Sequence, residues 1–221
     1  MTKAIIFDLE GTLADTEPLH LKAHKRALAD FGIKINEDDY IKEGAYKKSS
    51  DFYFKMSLKY NAEITETDLR KIKEEKKRYY LDLINEVTLY PGVTELLESL
   101  KQNYKLAIAS ATTREIIFKI LSNAKIVNLF DVIISGEDVL KNKPSPDIYL
   151  KSSEDLEISP SLCVVVEDSE TGVQSAKSAN MKCIAVPNRY TKNQDFSKAD
   201  IVLNDIHEVS TELINNLFQL A

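Results

Sequence analysis

Only two cysteines, Cys163 and Cys183, occur among the 221 residues, and both lie in apolar, strand-like runs without metal-ligand spacing around them. Free cysteine in such surroundings behaves as a small hydrophobe, so both are expected as buried thiols. Long apolar runs are missing too. The amino terminus has a short one after Lys3 and no other stretch approaches bilayer length, so neither a secretory signal nor a membrane span is expected, and the protein is expected to be cytoplasmic. An excess of basic residues is also lacking. The net charge of -6 disfavours a broad phosphate-backbone partner, so no nucleic acid is expected, although a few local cations and a metal can still gather a small anionic substrate. Internal repeats and low-complexity segments are absent. What is present, 43% hydrophobic residues, suffices for a folded core in one domain or in a domain carrying an insertion.

Ala4-Ile5-Ile6-Phe7 reads as a buried strand that runs straight into Asp8, Glu10 and Gly11. Gly11 permits a sharp turn, and Thr12 adds a hydroxyl on it. Next come helices. Pro18 suits a first helical turn, and Leu19, Ala23, Ala27 and Phe31 recur at spacing four until Gly32. Asn36 with Glu37, Asp38 and Asp39 marks a second helix start, Asp51 to Tyr60 a further helix, and Thr65 with Asp68 a capping box opening a long helix toward Asn85. No strand is evident from Glu17 to Asn85.

Alternation begins after the Tyr90-Pro91-Gly92 turn. Helix 93–100 leads to strand 106–109, helix 114–121 to strand 132–134, a helix from Asp147 to strand 163–166, and a helix from Thr171 to strand 183–186. Ile201-Val202 is expected as a further edge strand, and 207–220 as a closing helix. Strands separated by helices of this length imply right-handed crossovers and a parallel, Rossmann-like α/β sheet covered on both faces. The organisation is therefore an α/β core, 1–15 with 86–221, interrupted by an all-helical insertion, 16–85.

Four strand ends carry polar residues that converge if the strands are parallel neighbours: Asp8 with Glu10, Ser110, the loop holding Lys143, and Glu167 with Asp168. Each has an ordinary alternative. Ser110-Ala111-Thr112-Thr113 precedes a helix and reads as a cap or as an anion site. Lys143, in a stiff double-proline turn, is a surface lysine or one fixed beside a charge. Glu167-Asp168 is a charged helix start or a pair of hard oxygen ligands suited to Mg²⁺.

Their joint order resembles the four motifs of the haloacid dehalogenase superfamily of phosphatases and phosphomutases. Phe7-Asp8-Leu9-Glu10-Gly11-Thr12-Leu13 is similar to the first, except that Glu10 stands where the family has a second aspartate. The helical insertion and the Glu-Asp-Ser-x-x-Gly form of the fourth resemble the phosphoglycolate phosphatase and β-phosphoglucomutase branch, in which the insertion is a helical cap.

The resemblance implies an Mg²⁺-dependent phosphatase of small phosphorylated metabolites, such as sugar phosphates or phosphoglycolate. In it Asp8 is the nucleophile that forms an aspartyl phosphate and Glu10 is the general acid/base. Asp8, the carbonyl of Glu10, Glu167 and Asp168 are the implied metal site, and Thr12, Ser110, Ala111 and Lys143 the implied phosphate contacts. In the cap, His20, Lys47, Lys48 and Lys76 are candidates for the substrate's other end, with a solvated basic face as the alternative for the lysines. A β-phosphoglucomutase-like phosphomutase and, because of Glu10, a non-catalytic binding protein on the same fold stay open. So does the oligomeric state, with which a monomer is compatible.

Overall fold

A computed structural model of the chain describes residues 3–45 and 49–219. The chain folds as two compact units, Thr16–Val87 and Met1–Asp15 with Thr88–Ala221.

The smaller unit is helical: α1 (Glu17–Ala29), α2 (Glu37–Asp39), α3 (Ser49–Lys59) and α4 (Glu66–Leu83). The spacing-four residues Leu19, Ala23 and Ala27 of α1 are buried, as are Ile72 and Tyr80 of α4, which packs along α1. Expected caps are formed. Thr65 Oγ1 accepts from the Asp68 N-H while Asp68 accepts from the Thr65 N-H, which satisfies two orphan donors at the start of α4. The Asn36 capping box opens only three α-helical residues before the chain widens into a π-helical turn at Tyr40–Gly44. α1 stops at Ala29, earlier than its spacing predicts, because the chain reverses through Gly32 at φ +72, where Ile33 N-H returns to Leu28 O.

The larger unit holds a six-stranded sheet. Its strands are β1 (Ala4–Phe7), β4 (Lys105–Ser110), β5 (Val132–Ser135), β6 (Cys163–Glu167), β7 (Lys182–Ala185) and β8 (Ile201–Val202), ordered β5-β4-β1-β6-β7-β8 with every neighbouring pair parallel. Two further strands, β2 (Ala14–Asp15) and β3 (Thr88–Leu89), which the sequence pattern does not show, pair antiparallel into a ribbon. Its strands are two residues long, too short for any periodic signal.

Among the described residues its α-helices are α5 (Val93–Lys101), α6 (Arg114–Asn123), α7 (Asp147–Asp155), α8 (Glu170–Ser178) and α9 (Thr211–Gln219). The last begins four residues later than expected, since Ser210 Oγ accepts from the Leu213 N-H and a separate 3-10 turn takes up Ile206–Glu208. On one face of the sheet Ala4, Ile6, Ala107 and Val165 pack with Tyr149 of α7 and Val173 of α8. The alternate residues Ile5, Phe7, Leu106 and Ile108 are buried as well, so the sheet is covered on both sides, which is why its strands read as continuous apolar runs. Cys163 and Cys183 are unpaired and buried, and burial pushes the Cys163 thiol up to about 12 and Cys183 well above its ordinary value. Both are therefore inert packing groups.

At the opposite end of β4, Asp131 binds the sheet to α5. It accepts from Lys105 at 2.9 Å, Lys101 at 2.6 Å and the Leu106 N-H at 2.9 Å. Partial burial raises its pKa, but the two lysines and the backbone donor outweigh that and hold it at about 2. The folded pKa lies below the unfolded one, so this contribution is complete above pH 4 and is lost as pH falls toward 2. Replacing the carboxylate in D131N is expected to cost about 1–2 kcal/mol at pH 7 and almost nothing at pH 2, as read from denaturant melts at both pH values. An equal cost at both would reduce the tie to its Leu106 hydrogen bond.

Candidate active site

The order of the sheet reverses at β1: the chain passes to β4 and β5 on one side and then to β6, β7 and β8 on the other. Such a switch point leaves a crevice at the carboxyl ends of the strands. Asp8 lies there, directly after β1, and its N-H donates to Val166 O at 3.0 Å. The turn that follows closes on itself: Gly11, at φ +87, donates to Ala14 O, while the Leu13 and Ala14 N-H groups both donate to Leu9 O. Only glycine adopts that φ without strain. Ser110 is the last residue of β4 and Glu167 the last of β6, so each strand runs one residue beyond its apolar stretch.

Lys143 enters this edge from the loop after β5, its side chain only 7% exposed. Its ammonium donates to Asp8 Oδ1 at 2.5 Å, Glu167 Oε1 at 2.6 Å and the Ala109 carbonyl at 3.0 Å, so the surface alternative does not hold. Burial by itself depresses the lysine, yet Coulomb attraction from Asp8 and Glu167 prevails and holds it protonated above its ordinary value. Asp8 goes the other way. Burial raises it, the Lys143 charge pulls it down and the Glu167 charge raises it again, leaving it pushed up to about 7. For Glu167 burial also raises the pKa, but Lys143 and its hydrogen bonds win and the group is lowered.

Ligand oxygens of Asp8, Glu167 and Asp168 lie within 4.8 Å of one another, all three residues buried. With all three ionised, three carboxylates against one ammonium group leave two negative charges uncompensated in a desolvated place, and hard oxygen donors with that deficit fit a divalent cation such as Mg²⁺. The three are not equivalent. Both oxygens of Glu167 are taken, Oε1 by Lys143 and the Tyr149 hydroxyl, Oε2 by the Asp168 N-H, the Ser169 N-H and the Ser169 hydroxyl. Asp168 Oδ1 accepts from the Thr12 hydroxyl at 3.3 Å and Oδ2 from the Asn188 amide at 2.7 Å.

Gly172 explains the last residue of the Glu-Asp-Ser-x-x-Gly stretch. A Cβ there would lie 1.9 Å from the Glu167 carboxyl carbon, so the first turn of α8 can cover that carboxylate only with a bare backbone. Ser169 completes the arrangement, its hydroxyl accepting from the Gly172 N-H while donating to Glu167.

The other expected residues fall as follows. Glu10 is half-buried two residues past Asp8, close enough for its charge to raise the Asp8 pKa slightly. Ser110 is buried and accepts from the Thr112 N-H at 3.5 Å. It is not the cap of α6, whose first N-H, on Arg114, is taken by Glu137. Ala111 is exposed, with its carbonyl against Gly136. His20 and Lys76 belong to the helical unit, His20 Nδ1 lying 2.8 Å from Lys76 Nζ and its ring stacked on Tyr80. Lys76 is thus part-buried in an aromatic contact and not on a freely solvated face. Lys47 and Lys48 lie outside the described residues.

Tyr149 and Asn188 escape the sequence pattern. Tyr149 reads there as one more apolar residue of an amphipathic helix. Asn188 stands just past the carboxyl end of β7, so the rule that directs attention to Asp8 and Asp168 also covers it, but no acid or glycine accompanies it.

Comparison with known proteins bears on this edge. The profile of the haloacid dehalogenase-like hydrolases matches residues 5–186. The chain is similar to the phosphorylated carbohydrates phosphatase of Thermotoga maritima, 35% identical over 183 residues, covering 82% of this chain and 83% of that one. It is also similar to the β-phosphoglucomutase of Bacillus subtilis, 31% identical with 96% and 94% covered. Among solved structures, a mutant of CbbY from Rhodobacter sphaeroides in complex with xylulose-1,5-bisphosphate superposes with a TM-score of 0.81 at 29% identity, covering 95% of this chain and 97% of that one.

Proposed function

Because the chain belongs to the haloacid dehalogenase-like hydrolases, a family of enzymes, we propose that it is a Mg²⁺-dependent phosphatase of small phosphorylated carbohydrates that works through Asp8. The observation that carries this reading is the buried Asp8 carboxylate at the carboxyl end of β1, paired at 2.5 Å with the ammonium of Lys143. Asp8 attacks phosphorus in line, the bond to the leaving oxygen breaks, and an aspartyl phosphate forms that water then hydrolyses.

Lys143 keeps its proton throughout and faces the negative oxygens of the transferring group, where most of the stabilisation of such a step resides. Ser110 and the Ala111 N-H add neutral donors at the neighbouring strand end. Thr12, whose hydroxyl is already directed at Asp168, holds the turn. Glu10 protonates the leaving oxygen in the first step and accepts a proton from water in the second, a role its longer side chain performs from one methylene farther than aspartate. Mg²⁺ would be held by Asp8, the Glu10 carbonyl and Asp168, and when bound it supplies charge neutralisation to the phosphoryl oxygens. Glu167 serves this reading as the anchor of Lys143. The helical unit acts as the cap that selects the substrate, with His20 and Lys76 as its candidate contacts.

Similarity to a β-phosphoglucomutase favours one other outcome, retention of a bisphosphate and return of the phosphoryl group to a different hydroxyl. Phosphate release separates the two. Against a panel of sugar phosphates, sugar bisphosphates and phosphoglycolate, the protein is expected to liberate inorganic phosphate with Mg²⁺, and at least about 100-fold more slowly after chelation. Isomerised sugar phosphate without free phosphate would establish the mutase. Neither product from any substrate would overturn both readings.

A further inference from the structure

We propose that Asn188 is a positioning residue that fastens the turn after the nucleophile to the Asp168 carboxylate, an inference that rests on the reading of Asp168 as a metal ligand. Its side-chain amide donates to Asp168 Oδ2 at 2.7 Å and to the Gly11 carbonyl at 3.2 Å, so one NH₂ group joins two loops that are far apart in sequence. The orientation of the amide is dictated by its partners. The Tyr190 N-H, which can only donate, lies 2.8 Å from Asn188 Oδ1, so the nitrogen must face the carboxylate and the carbonyl, both pure acceptors.

No other small side chain meets these requirements. Aspartate would bring a second carboxylate against Asp168. Serine would keep the short turn to the Tyr190 N-H but reach neither acceptor. The Thr12 hydroxyl steadies the other oxygen of Asp168, so the carboxylate is fixed in rotation, and Thr12 sits on the turn whose Gly11 carbonyl Asn188 also holds. Hydrogen bonds of this kind to a ligating carboxylate orient it, and their loss typically costs 10- to 100-fold in metal affinity or activity. Asn188 in turn is held in place by its own loop, where its N-H donates to the fully buried Thr191 hydroxyl at 2.9 Å.

The test compares the full chain with N188S, which preserves the turn, and with T191A, which loosens the same loop without touching Asp168 or Gly11. Calorimetric titration with Mg²⁺ alone is expected to show affinity weakened roughly 10- to 100-fold in N188S and changed by less than about 3-fold in T191A. Amide exchange at Gly11, Leu13 and Ala14, followed without metal or substrate, is expected to quicken roughly two- to ten-fold in N188S. Parent-like affinity and exchange in N188S would overturn the assignment. So would an equal loss of Mg²⁺ affinity in T191A, which would make Asn188 merely a part of its loop. A parent protein without Mg²⁺-dependent phosphate release would instead overturn the proposed function, and the exchange comparison would still decide whether Asn188 fastens the turn.

Discussion

Replacement of Asp8 by asparagine is expected to lower turnover by on the order of 10,000-fold or more on every substrate, while the protein remains folded. The amide is a poor nucleophile toward phosphorus, and nothing adjacent substitutes for it. Lys143 is a bound cation, and both Glu167 oxygens are already occupied by donors. The expectation for stability is less usual. Burial pushes Asp8 up to about 7 from 3.8, so its folded pKa lies above its unfolded one, and the ionised group progressively destabilises the metal-free protein as pH rises from 3.8 through 7. Asparagine carries no such penalty and can still accept from Lys143. Metal-free D8N should therefore melt no lower than the parent at pH 8, with the difference closing toward pH 4. Parent-level phosphate release by D8N would sink the mechanism. A D8N protein that melts well below the parent at pH 8 would show that the carboxylate is needed for folding and not only for chemistry.

Replacement of Gly172 by alanine is expected to be the most damaging change outside the reacting groups. On propensity alone a helix gains about 1 kcal/mol from this substitution. Here the new methyl would overlap the Glu167 carboxyl group, with all three of its heavy atoms within 2.1 Å of the ideal Cβ position. Glu167 has little room to give way, because its two oxygens are held by Lys143, Tyr149, Ser169 and the Asp168 N-H in a fully buried setting. Overpacking of this sort costs about 1–3 kcal/mol or more, which outweighs the propensity gain. The displaced carboxylate also takes Lys143 with it, and a shift of about 1 Å at that ammonium is worth on the order of 100-fold in rate. G172A is thus expected to lose both melting temperature and kcat. A variant that melts higher, as helix propensity alone demands, with unchanged kcat would show that Glu167 can move without consequence and does not anchor Lys143.

The chain's own order of residues determines a good deal of this. Continuous apolar runs such as Ala4-Ile5-Ile6-Phe7 and Cys163-Val164-Val165-Val166 are legible because a strand buried on both faces has no polar alternation to confuse its limits. Helices alternating with them leave a parallel sheet as the simple solution, and polar residues directly after the strands then have to gather at one edge. Asp8, Glu167 and Asp168 are brought together in that way, and the loop after β5 carries Lys143 to the same edge. Thr65 and Asp68 are legible for a local reason, since a capping box is complete within four residues.

Tertiary structure alone decided what each gathered residue touches. Sequence presents Glu167 and Asp168 as equal neighbours, yet strand alternation turns one inward to Lys143 and Tyr149 and leaves the other to Thr12 and Asn188. The ribbon of β2 and β3 depends on pairing residues more than 70 positions apart, and no local propensity encodes it. The same holds for Asn188, an unremarked polar residue until the sheet order sets its amide 2.7 Å from a carboxylate 20 positions earlier, and for Gly172, whose missing Cβ matters only because a buried carboxylate fills that space. Periodicity and composition report which face of an element is buried; partners across long stretches of chain are set by packing, and it is the partners that separate a ligand from an anchor.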